Sequence, residues 1–154
     1  MDTQDPYTRN LVNRGFYAQK LKVEAKVVAV LRGRLENRNL ELIPQPSRAV
    51  KAGEVHEIIV TDEDAQPGSK VARIAYVAFL EFQNGGVLLT GDDLFIGGKF
   101  VGKLIGFDMS HFPNHMNIVV GGELKSGEER HFVPGMQALV QNNQQERSSS
   151  DVSV

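Results

Sequence analysis

Residues 87–122 read VLLTGDDLFIGGKFVGKLIGFDMSHFPNHMNIVVGG, and how this stretch is read decides the fold. Glycines at 91, 97, 98, 102 and 106 interrupt segments rich in β-branched and aromatic residues. The four-residue spacing of Gly98, Gly102 and Gly106 could pack helices, but so many glycines beside Val, Ile and Phe disfavour a helix. In a strand the three glycines share one face, and Lys99, Val101, Lys103, Ile105 and Phe107 share the other. The stretch is therefore read as a hairpin: a strand near 93–97, a turn at 97–99 and a strand at 100–108. Glycines inside strands mark bulges or close backbone approach and let a sheet coil into a closed barrel.

Working outward, KVARIAYVAFLEF (70–82) has alanines that suit a helix, but Val71, Ile74, Tyr76, Val77, Phe79 and Phe82 favour a strand. Gln83-Asn84-Gly85-Gly86 supplies turn chemistry, so a hairpin of 71–82 with 86–90 is predicted. Residues 55–61 alternate Val55, Glu57 and Ile59 against His56, Ile58 and Val60, another strand. DEDAQPGS (62–69) is an acidic loop. Residues 20–31 alternate as a half-buried strand, and 34–43 holds a turn at 37–39 and a short strand stopped by Pro44 and Pro46. Residues 47–54 are read as a connector. Toward the C-terminus, 117–120 is a strand, 125–128 a turn, 129–133 its return and 136–141 a last short element. Residues 1–15 are expected to be loosely ordered, and the polar tail 142–154 disordered. The fold class is all-β: a single-domain β-barrel of eight to ten short strands over 16–141.

Composition narrows the function classes. The 154 residues carry a net charge of −2, which argues against a polyanion surface and so against nucleic acid as partner. There is no cysteine, which excludes disulfides and thiolate metal sites. The start MDTQDPYTRN lacks a secretory pattern, and no apolar run is long enough for a membrane helix. A soluble cytoplasmic protein without a membrane partner is expected. Sheet edges must be paired or covered, so a homodimer is expected, with the apolar stretch 71–82 supplying the contact.

An ordered pattern adds a resemblance. Gly91, Leu94 and Ile96, the Gly97-Gly98 turn, Phe100, Leu104-Ile105-Gly106, Asn114, the strand 117–120 and Pro134-Gly135 follow one another over about 91–140. In this the chain resembles the sorbitol (glucitol)-specific IIA component of the bacterial sugar phosphotransferase system. The resemblance implies a compact bacterial β-barrel. That family carries phosphate on a histidine in the strand before the glycine-rich hairpin, whereas residues 76–82 contain no histidine. Phosphotransfer is therefore not carried over, and no family site residue is assigned.

The candidate chemistry lies in Asp108-Met-Ser-His-Phe-Pro-Asn-His-Met-Asn117. Asp108, His111, Asn114, His115 and Asn117 are the candidate ligand-binding residues, with Phe112 and Met116 as apolar lining. Histidine suits proton transfer near neutrality and metal ligation. In extended chain His111 and His115 would lie roughly 13 Å apart, so only a tight turn at 112–114 could let them share a metal. They are the candidate metal ligands, but no metal or other cofactor is assigned. Asp108, Ser110 and His111 do not make a triad, because in a strand Asp108 and Ser110 share a face that His111 does not. Gly98-Lys99 lacks the remainder of a phosphate loop. His56 and His131 are read as structural, with His131 the closer of the two to the loop. The expected function is a small-ligand-binding or accessory domain of bacterial metabolism with the 108–117 loop at its mouth. The alternatives are an enzyme using His111 or His115 for acid–base or metal-assisted chemistry, and a IIA-like phosphocarrier.

Overall fold

The computed structural model describes residues 17–142. The expectations for 1–15 and 143–154 fall outside the described residues. Asn142, assigned from sequence to the tail, is buried.

Among the described residues there are twelve strands and no helix. In chain order they are β1 (Val23–Val30), β2 (Arg34–Leu35), β3 (Leu40–Glu41), β4 (Ser47–Val50), β5 (Val55–Thr61) and β6 (Lys70–Val71). Then come β7 (Ile74–Phe82), β8 (Gly86–Leu89), β9 (Asp93–Ile96), β10 (Lys99–Asp108), β11 (Asn117–Gly121) and β12 (Gln137–Gln141). The pairing order β1-β12-β9-β10-β11-β5-β7 returns from β7 to β1, so seven strands close a ring. The all-β reading holds. The five remaining strands lie outside that ring: β2 adds to β7, and β3–β6 and β4–β8 form two small ribbons.

The main core fills one side of the sheet, built from Val23, Val27, Leu80, Phe82, Leu94, Leu104, Phe107 and Ile118 among others. A second cluster, Leu40, Leu42, Ile59, Val71, Ile74 and Val119, lies on the opposite face under the β3–β6 ribbon. Between the two clusters run β5 and β11, the one parallel pair of the ring. Parallel neighbours need cover on both faces, and both segments, HEIIVT and NIVV, are buried throughout.

The β9–β10 hairpin forms as the glycines predict. Gly97 and Gly98 both take positive φ, 61° and 79°, the backbone of a tight hairpin turn that side chains resist. The predicted facing of β10 needs correcting. Its register slips between Phe100 and Gly102 against β9 and between Leu104 and Gly106 against β11. Two bulges make Val101, Leu104 and Phe107 face the core at three-residue intervals, and turn Lys103 and Ile105 away. The glycines thus do not share one face.

Other expectations fail for identifiable reasons. The turn at 83–86 does not join a hairpin: β7 pairs with β1 and β5, whereas β8 pairs with β4. Asn84 ties the turn to β1 instead, accepting from the Glu24 amide at 2.8 Å and donating to the Lys22 carbonyl at 3.1 Å. Residues 47–50, read as connector, are β4. Residues 129–133 form no strand. Ser126 and Glu129 exchange side-chain bonds with each other's amides at 2.9 and 3.1 Å, a capping box that starts a helical turn. The stretch 71–82 cannot supply a dimer face, because β7 lies between β1 and β5 with Ile74, Ala75, Val77, Ala78 and Leu80 fully buried.

Candidate functional site

Strand register lines up four side chains. Asp108 of β10 pairs with Asn117 of β11, Asn117 with Glu57 of β5, and Glu57 with Phe79 of β7. Asp108, Asn117 and Glu57 are all buried, an unusual concentration of polar groups that must be hydrogen-bonded or paired. Asp108 Oδ2 accepts from Asn117 Nδ2 at 2.8 Å and from Ser110 Oγ at 2.7 Å. Asn117 Oδ1 is buried with no partner among the described residues.

The loop between β10 and β11 folds back over this row. The Phe112 amide donates to the Met109 carbonyl, and the Asn114 and His115 amides donate to the His111 carbonyl. The Phe112–Pro113 bond is cis. Across this turn the His111 and His115 rings stack, with centroids 5.1 Å apart and planes at 27°. His115 also meets Phe79 edge-on at 5.1 Å, and its Nε2 lies 3.2 Å from Glu57 Oε1. Asn114 Nδ2 lies 3.3 Å from His115 Nδ1. His111 Nε2 lies 3.3 Å from Arg38 Nη2; since a guanidinium only donates, this nitrogen is the acceptor.

The result is a chain of contacts, Arg38–His111–His115–Glu57, leading from exposed loop to buried carboxyl. Burial pushes the Glu57 carboxyl above its ordinary value of 4.5, while His115, His111 and Arg38 pull it down less strongly. Asn114 Nδ2 can only donate, so His115 Nδ1 accepts and the ring proton is assigned to Nε2, which donates to Glu57 Oε1 at 3.2 Å.

All five predicted residues meet here, though in two groups. Asp108 and Asn117 form the floor, and His111, Asn114 and His115 form the cover. The residues missed from sequence are Glu57, Arg38 and Phe79. Glu57 carried a signal, being a charged residue in register with Val55 and Ile59; Arg38 and Phe79 enter only through tertiary placement. Met116 does not line the site but belongs to the core, whereas Phe112 is exposed. The rejected triad is absent, since Ser110 bonds Asp108 while His111 turns to Arg38.

The two remaining histidines exchange roles relative to expectation. His56 is buried beneath the loop, and its Nδ1 accepts the Met116 amide at 3.0 Å. The ring proton is thereby assigned to Nε2, which lies 3.1 Å from Glu54 Oε1 and whose hydrogen bond holds that carboxyl below its ordinary value. His131 instead sits beside Lys99 and Phe100, at the far end of β10 from the loop.

A groove of about 670 Å³ runs beside the loop, bordered by Arg38, Leu42, Pro44, Asp108, Met109 and Ser110. Among the described residues no three His, Asp or Glu side chains are placed to hold a metal ion. Nor is any helix there long and apolar enough to cross a membrane. Comparison with curated proteins and with solved structures gave no match. The profile of a family of unknown function, DUF6917, matches residues 17–141, nearly all of the described fold, and the chain belongs to that family.

Proposed function

We propose that this protein is a small-ligand-binding domain whose ligand lies in the groove beside the 109–116 loop, on a scaffold that works as a closed β-barrel. The observation that carries this is the Arg38–His111–His115–Glu57 chain: polar groups held in fixed relation and open to solvent at the end where Arg38 borders a groove of ligand size. Loops fixed on a rigid sheet are favoured places for recognition, because the scaffold sets their geometry while their side chains stay accessible. The test is a panel of small metabolites added to the ¹⁵N-labelled full-length protein. Saturable shifts should concentrate at Arg38, Leu42, Glu57 and residues 108–116. Shifts confined to a second groove, lined by Phe95, Gln137 and Leu139 on the β9–β12 side, or none with any metabolite, would overturn the reading.

A second reading is favoured by one observation, the buried Glu57 hydrogen-bonded to His115. A carboxyl that accepts an imidazole N–H and so fixes the ring's orientation and tautomer is an arrangement used in general acid–base catalysis. Turnover of a bound metabolite that is lost in Glu57→Gln, with binding retained, would distinguish an enzyme from a binding domain.

A further inference from the structure

The described residues contain six arginines, at 32, 34, 38, 48, 73 and 130. Arg32, Arg34 and Arg73 pair with Glu128, Glu129 and Asp62, and Arg130 donates to the Lys125 and Glu123 carbonyls. Arg38 and Arg48 alone find no oxygen acceptor for their side chains among the described residues, and both touch the same loop. Arg38 meets the His111 ring, and the Arg48 guanidinium lies 5.7 Å from the centre of the Phe112 ring. Arg48 Nε is moreover buried with no partner. A guanidinium presents five N–H donors and is charged at any physiological pH, so each of these two, beside adjacent loop residues, keeps donors that no oxygen of the described residues takes. The nearby carboxyls do not take them: Asp108 is engaged by Ser110 and Asn117, and Glu57 by His115.

Resting on the reading that this loop binds a small ligand, we infer that the ligand is a small oxyanion, its carboxylate or phosphate group held by Arg38 and Arg48 over the loop. Such groups match the planar donor fork of arginine, and His111 and Asn114 on the same turn offer further polar contacts.

The test follows arginine Nε–H and loop amide resonances of the full-length protein during titration with sodium phosphate and, separately, sodium succinate. Sodium chloride at equal ionic strength is the reference. Saturable shifts at Arg38, Arg48 and residues 111–115 are expected with an oxyanion and not with chloride. Response to phosphate alone assigns a phosphoryl ligand, and response to succinate alone assigns a carboxylate. Arg38→Gln and Arg48→Gln should each weaken binding roughly tenfold or more, as for loss of a charge-assisted hydrogen bond. Arg48→Lys, which keeps the charge and loses the fork, should fall between. Unchanged affinity in both Arg48 variants would overturn the inference. Absence of oxyanion shifts while uncharged metabolites still shift the loop would overturn it too, yet leave the loop's binding role standing. No response to either class would overturn both.

Discussion

Replacing Gly102 by alanine tests the account of β10 on which the site depends. A Cβ at Gly102 would lie 2.0 Å from the Gly121 carbonyl oxygen, 2.9 Å from its carbon and 2.7 Å from Val120 Cγ1. The first two atoms are backbone of the paired strand, so no rotamer change relieves them. An ordinary contact needs β10 and β11 to separate by more than about 1 Å, which takes ladder bonds out of hydrogen-bonding range. Losing two such bonds costs about 2 kcal/mol net, and overpacking adds about 1–3 kcal/mol, so roughly 3–5 kcal/mol is expected in total. Gly106→Ala is the control. Its Cβ would meet Leu42 Cδ1 at 2.8 Å and Leu42 Cβ at 3.3 Å, a side chain under the small ribbon that can turn aside. A cost of about 1–2 kcal/mol is expected there. Urea unfolding of both variants gives the comparison, with unchanged m-values required for reading the midpoints as stability. Gly102→Ala within 1 kcal/mol of the parent, or less damaging than Gly106→Ala, would refute the reasoning.

His56→Ala should destabilise by about 2–3 kcal/mol in urea unfolding, because it strands the buried Met116 amide and removes packing against Phe82. His111→Ala, on an exposed loop position, should change stability by less than about 1 kcal/mol. His115→Ala should cost about 1–3 kcal/mol, since it leaves buried Glu57 without its imidazole partner. Glu57 also sets a pH dependence. Its folded-state pKa lies above 4.5, so the native state holds the proton more tightly than the unfolded chain, and its stabilising contribution is complete below that value and lost as pH rises through the folded pKa. Glu57→Gln has no such proton to lose, so the difference in Tm from the parent should move in favour of the variant as pH rises through the folded-state pKa of Glu57. Incubation with the phosphodonor proteins of a sugar phosphotransferase system should leave the chain unlabelled, because β7 carries no histidine; phosphohistidine on mass spectrometry would revive the phosphocarrier reading.

Much of this fold was legible because its signals are local. Positive-φ glycines mark the 97–98 turn, and alternation marks β1 and β5. What stayed hidden depends on the closing of the ring. Nothing near Asn84 says that its side chain bonds to β1 rather than serving a hairpin. The parallel pairing of β5 with β11, which sets Glu57 beside Asn117, joins segments about sixty residues apart. The bulges in β10 were signalled by glycines, but their effect on facing was not, because Gly102 and Gly106 answer to Gly121 and Leu42 on other elements. In the site, the 108–117 segment announced itself by composition. Arg38 and Phe79 look ordinary in sequence and acquire meaning only from their contacts with His111 and His115. The Ser126–Glu129 capping box is written as S-x-x-E, but it straddles the boundary between the expected 125–128 turn and 129–133 strand.

The central claim is that the 109–116 loop folds back onto the Asp108–Asn117–Glu57–Phe79 row and stacks its two histidines there. Nuclear Overhauser contacts among the aromatic ring protons of the full-length protein test it most directly. Cross-peaks between the His111 and His115 rings, and between His115 and Phe79, are predicted from centroid separations of 5.1 Å in both pairs. A His115 ring with contacts to neither partner would place the loop away from the row and contradict the site.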